Sequence, residues 1–173
     1  MSKSTVKRYL NDRSKEELVE ILLDLYSAKK DAKDYLEYVT NPDDNRMLEH
    51  YKAIIVKEFF PKRGEAKIRF SVCRKAVSDF KKLNPAPALL SDLMVTLVEQ
   101  ACLYTDENGD MDEPFYTSLE TNFVAAVKHI TKHHQKTQFK YRLIKCVKLT
   151  KYCGYCLYDS LFECCAEHGI EVR

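Results

Sequence analysis

The stretch from Ala88 to Tyr104 places Leu89, Leu90, Leu93, Met94, Val95, Leu97, Val98, Ala101, Cys102 and Leu103 around nearly the whole circumference of a helix. A helix that is apolar on most sides belongs at the centre of a fold, because any face left in water would expose it. The remaining sequence must therefore supply elements that enclose it, and its periodicity shows that those elements are helices too.

Ser14 and Glu17 form a capping box, in which the hydroxyl takes a backbone N–H while the carboxylate reaches back. Leu18, Ile21, Leu22, Leu25 and Tyr26 follow at the spacing of one helical face and are expected to be buried. A short helix is expected over Ala32 to Val39, stopped by Asn41-Pro42. The next opens at Asp43 or Asp44, buries Met47, Tyr51, Ile54, Ile55 and Phe59, and ends at Pro61. A fourth carries Phe70, Cys73, Val77 and Phe80 and stops at Asn84-Pro85-Ala86-Pro87. The central helix follows, and Thr105 to Asp112 reads as an acidic loop. A sixth helix starts near Glu113, with Phe115, Leu119, Phe123, Ala126, Val127 and Ile130 inward. Leu143, Ile144, Val147 and Leu149 mark a seventh; Gly154 interrupts, and Leu157 to His168 forms an eighth, closed by Gly169.

No strand-like alternation occurs, and four Gly and five Pro are too few for a turn-rich β fold. The expectation is an all-α single domain over 1–173, with seven or eight helices in antiparallel pairs around the central apolar one. No segment approaches the roughly 20 apolar residues that span a bilayer. Met1 to Arg13 lacks the apolar core of a signal peptide, and seven cysteines without such a signal suit free thiols in a reducing cytoplasm.

Charge is unevenly distributed. Thr121 to Tyr158 contains no Asp or Glu but eight Lys/Arg: Lys128, Lys132, Lys136, Lys140, Arg142, Lys145, Lys148 and Lys151. The chain's net charge is +2, so without these eight cations the rest sums to −6. Lys132, Lys136 and Lys140 would continue one ridge from Lys128 if the helix were unbroken, but the apolar pattern instead implies two helices around a hinge near Gln135–Gln138. A second cluster contains Lys62, Arg63, Lys67, Arg69, Arg74 and Lys75. Both are candidate contacts for an acidic macromolecule; nucleic acid is the less favoured partner, since neither a helix-turn-helix signature nor an aromatic stacking platform is evident.

Asp92 and Glu99 lie two turns apart on one side of the central helix, with Thr96 between them. Carboxylates there need water or a cationic partner, such as Arg69 or Arg74, and they define a candidate polar pocket for acid–base or metal work. Cys153, Cys156, Cys164 and His168 are weak candidate zinc ligands, because their helical surroundings lack a zinc-knuckle turn. His129 and His133 read as a pair on a basic face, lacking the zincin Glu. Asp106 to Asp112 resembles a calcium loop but has Met111 and Thr117 where that geometry needs Gly and Glu. No nucleotide fingerprint or nucleophile elbow occurs, and no cofactor is expected.

Several segments taken in order look familiar together: Tyr9-Leu10, Ser14 to Leu18 and Leu25-Tyr26; Phe60-Pro61, Phe70-Ser71-Val72 and Asp79-Phe80-Lys81; Asp92-Leu93-Met94 with Glu99; Gly109-Asp110 with Phe115-Tyr116; and Gly154-Tyr155 with Asp159. In this order they resemble a bacterial family of unknown function, number 6155, over nearly the whole chain. The resemblance implies a small helical cytoplasmic protein and no known chemistry. The cysteine-rich ending reads as particular to this chain. The residues themselves favour a non-enzymatic helical interaction module with basic ridges, ahead of a nucleic-acid-binding protein and, more weakly, a metal- or ligand-binding protein. They leave the oligomeric state open.

Overall fold

The computed structural model describes residues 2–172, and every regular element among them is an α-helix. The chain divides into two compact units, Met1–Asp43 and Asp44–Arg173.

The first unit contains α1 (Lys3–Asn11), α2 (Lys15–Ala28) and α3 (Lys30–Thr40). The expected capping box starts α2: Ser14 Oγ accepts from the Glu17 N–H, and the Ser14 N–H donates to Glu17 Oε2 at 2.8 Å. Lys29 breaks α2 from α3 by adopting an extended conformation, and the Tyr26 hydroxyl donates to Glu37 across the pair at 2.9 Å. Helix α1 lies where only a polar leader was expected. Ser2 caps it by accepting from the Thr5 N–H, and Val6, Tyr9 and Leu10 share a side. With α1, the described residues form nine helices, where seven or eight were expected. No residue of α1, α2 or α3 is buried.

The second unit contains α4 (Asp44–Phe59), α5 (Phe70–Lys82), α6 (Pro87–Asn108), α7 (Glu113–Lys132), α8 (Lys136–Leu149) and α9 (Leu157–Glu167). Helix α6 packs against α4, α5, α7 and α8, as its apolar circumference requires. Leu93, Val95, Leu97, Val98, Ala101 and Cys102 are almost wholly excluded from water. Each such Leu contributes roughly 2 kcal/mol by burial. Phe70 stands edge-on to both Phe59 and Phe115, with centroids 5.5 and 5.3 Å apart, joining α4, α5 and α7 in one aromatic cluster.

Helix α6 runs one turn beyond Tyr104, to Asn108, leaving only 109–112 as loop. Gly109 ends it at φ 89°, and Asp112 caps α7 by accepting from the Phe115 N–H at 3.0 Å. Helices α7 and α8 separate at His133–Gln135, slightly ahead of the expected hinge. His134 takes a left-handed conformation (φ 57°), and the Gln135 N–H donates to the Ile130 carbonyl at 2.9 Å. The turn into α9 places Tyr155 and Cys156, rather than Gly154, at positive φ.

Candidate functional site: the solvent face of α8

The expected polar pair on α6 is brought together with cations from two other helices. Arg142 of α8 donates through Nε and Nη2 to Glu99, at 2.7 and 2.5 Å, and through Nη1 to Asp92 at 2.5 Å; Nη2 also reaches Thr96 Oγ1 at 3.2 Å. Lys52 of α4 lies 2.9 Å from the other Asp92 oxygen. The partners are thus Arg142 and Lys52, not the expected Arg69 or Arg74; sequence distance concealed a pairing that the packing of α4 and α8 on α6 creates. Burial alone would raise the Asp92 pKa, but hydrogen bonds and charge from Lys52 and Arg142 outweigh it and hold the carboxyl below its usual range. Burial likewise disfavours the Arg142 cation, and the two carboxylates more than restore it. Two carboxylates and two cations leave no net charge here.

This inward anchor fixes the rotation of α8. With Arg142 turned to α6 and Phe139, Leu143, Cys146 and Val147 buried, the opposite face carries Tyr141, Lys145 and Lys148 at helical spacing. Tyr141 is 82% exposed and Tyr152, just past the helix, is 89% exposed. Tyr141, Ile144, Lys145, Lys148, Leu149 and Tyr152 line a shallow groove of about 370 Å³, with Asp106 as its one acidic neighbour. Lys151 Nζ sits 5.5 Å from the Tyr152 ring centroid. Two exposed tyrosines thus stand at this groove, neither of them singled out in the sequence. Tyr141 and Tyr152 are eleven residues apart with lysines between, Tyr141 on the outward face of α8 and Tyr152 in the turn that follows it.

The three lysines expected to form a ridge do not share one. Lys132 is exposed at the end of α7, Lys140 is half-buried on α8, and Lys136 extends toward Gly169, its Nζ 3.5 Å from where a Cβ there would lie. The turn at His134 separates Lys132 from the other two. In the other basic cluster, Arg69 forks onto the buried Glu58 at 2.7 and 2.9 Å, lowering the Glu58 pKa chiefly through these hydrogen bonds. Lys75 and Lys82 both bind Asp79, while Lys62, Arg63 and Lys67 are exposed. Arg74 lines a groove of about 630 Å³ beside Asp110 and Asp112. This surface is partly neutralised by its own acids, whereas the α8 groove sets Asp106 alone against Lys145 and Lys148.

A family model described as "Family of unknown function (DUF6155)" matches residues 1–152. The chain belongs to this family. No curated protein and no solved structure matches it.

Within the DUF6155 match lie the acidic pair, Arg142 and the whole α8 face, whereas Gly154-Tyr155 and Asp159 of the resemblance fall beyond it. Gly109-Asp110 and Phe115-Tyr116 nevertheless meet Gly154 in space. The Tyr116 hydroxyl donates to Asp110 Oδ1 at 2.5 Å and accepts from the Met111 N–H at 2.9 Å, and Asp110 Oδ1 also accepts from the Gly154 N–H at 3.0 Å. A Cβ on Gly154 would stand 3.2 Å from Asp110 Oδ2, so glycine here permits close approach. Burial and the adjacent Asp110 raise the Tyr116 pKa, while Tyr116 and Gly154 lower that of Asp110. Asp110 of the calcium-like loop is therefore engaged in joining two turns.

The cysteine-rich ending follows the matched segment. Cys153 is half-buried with Sγ 3.7 Å from Thr105 Oγ1, Cys156 is exposed, and Cys164 is buried. His168 Nδ1 lies against the Cys164 carbonyl at 2.9 Å. Among the described residues, no three His, Cys, Asp or Glu side chains stand together as a metal ion would need. Burial pushes the Cys73 and Cys165 thiols up to about 12, which suits apolar filler. His129 and His133 pack with ring centroids 4.5 Å apart, and burial first, then neighbouring cations, lower the His129 pKa.

Proposed function

We propose that this DUF6155 member is a non-enzymatic, cytoplasmic binding module that engages a polyanion through the solvent face of α8. The observation that carries this reading is the groove itself, where Lys145 and Lys148, from a tract devoid of carboxylates, flank exposed tyrosines and outnumber the one lining carboxylate, Asp106. Cations in excess on a helix face attract an acidic partner and release its counterions on contact. A binding role rather than acid–base chemistry is favoured because Asp92 and Glu99 are already committed to Arg142 and Lys52. Seven free cysteines suit a reducing compartment. Among the described residues, no helix is long and apolar enough to cross a membrane.

The test is fluorescence anisotropy of a labelled heparin fragment at low salt. The wild-type chain is expected to bind, with affinity falling as salt rises, and Lys145→Glu/Lys148→Glu is expected to weaken binding about tenfold or more. Unchanged binding by that double variant, or no binding by the wild type, contradicts the reading.

A further inference from the structure

Resting on that reading, we infer that the polyanion is a single-stranded nucleic acid and that Tyr141 and Tyr152 are its base-stacking residues. The groove has the chemical layout of an unpaired base. Ile144 and Leu149 supply an apolar lining, Tyr141 and Tyr152 supply two aromatic surfaces, and Lys145 and Lys148 supply cations for the flanking phosphates, with Asp106 the one carboxylate in the lining. A base is a planar ring with apolar faces, joined to a charged backbone, so it uses all three kinds of surface at once.

Tyr141 and Tyr152 both line the groove, one from α8 and the other from the turn three residues past its end. Lys145 and Lys148 lie between them, on the path the sugar–phosphate chain would follow.

The exposure of the rings separates this ligand from other polyanions. A polyglutamate-like peptide or a sulfated polysaccharide satisfies the lysines but brings no aromatic face for phenol rings that are 82% and 89% exposed. A duplex has phosphates, but its base faces are already stacked inside the helix, out of reach of the two tyrosines. An unpaired strand satisfies both requirements. Lys151, 5.5 Å from the Tyr152 ring centroid, adds a third cation at the end of the track. DNA and RNA strands share this chemistry.

The experiment uses the full chain and four fluorescein-labelled probes at one low salt concentration: a single-stranded DNA oligonucleotide, the same sequence as RNA, its DNA duplex, and a heparin fragment. Unlabelled polyglutamate serves as competitor. Single strands are expected to bind more tightly than duplex or heparin. Tyr141→Ala and Tyr152→Ala are each expected to weaken single-strand binding roughly tenfold while leaving heparin binding unchanged. The corresponding Phe variants, which keep the ring, are expected to retain it. Both tyrosines are exposed, and an unchanged thermal melt confirms that each variant is folded. Single-strand affinity unaffected by Tyr→Ala, duplex or heparin bound as tightly as the strand, or preferential displacement by polyglutamate would overturn the nucleic-acid assignment and leave α8 as a polyanion surface. Failure of all probes to bind would overturn both readings.

Discussion

At the residue scale, Arg142 has two consequences. It joins α8 to α6 by hydrogen bonds to Asp92, Thr96 and Glu99, and it thereby determines which residues of α8 face water. Removing it would leave two half-buried carboxylates with only Lys52 for compensation. Arg142→Ala is therefore expected to lower stability by about 2 kcal/mol in urea unfolding, and Arg142→Lys, lacking the planar fork, by less. The same network has a pH signature. The Asp92 pKa is lowered from its ordinary 3.8, so its contribution is fully present above that value and is lost as pH falls through the lower folded-state value. Unfolding measured from neutral pH downward should show stability declining below about pH 4, and Asp92→Asn should flatten part of that decline. An unchanged acid limb in Asp92→Asn would show that other carboxylates carry it.

At the scale of elements, the break between α7 and α8 determines what the basic tract can present. A continuous helix would align Lys128, Lys132, Lys136 and Lys140; the left-handed turn at His134 places them on two helices instead. Ser91 Oγ, buried on α6, donates to Gln135 Oε1 at 2.6 Å and helps secure the turn. His134 is exposed, and a non-glycine residue at its φ of 57° is strained. His134→Gly is expected to raise stability by about 0.5 kcal/mol, measured as a higher denaturation midpoint with an unchanged slope. A lower midpoint would mean that the imidazole contributes more than the strain costs.

At the scale of the molecule, burial is concentrated in one unit. Helix α6 contains ten buried residues, whereas α1, α2 and α3 contain none. Val6, Tyr9, Val19, Leu22, Leu23, Leu25, Tyr35 and Val39 remain substantially exposed. Local opening becomes easier where few apolar groups are buried. Native-state hydrogen exchange should find amides of α1–α3 exchanging on the order of a hundredfold faster than those at the middle of α6. Equal protection would show that these three helices are covered in solution.

The helical class, the central place of Ala88–Tyr104, the capping box at Ser14 and most helix limits were legible in the sequence. They depend on local capping chemistry and on a 3.6-residue apolar period within single segments. Helix α1 was missed because nine polar-rich residues give little periodic signal, although Ser2 in front of Thr5 is a cap that could have marked it. Asp92 and Glu99 were identifiable as carboxylates in need of cations, but Lys52 and Arg142 lie 40 and 50 positions from Asp92, and sequence spacing says nothing across such distances. The acid-free tract could be read as basic, yet not as a surface. Its lysines are divided by a turn, one arginine points inward, and Tyr141 faces water on the side of α8 opposite its packed face. Local periodicity thus determined which segments are helices, whereas the groove between Tyr141 and Tyr152 depends on long-range ion pairs that exist only once α4, α6 and α8 have packed.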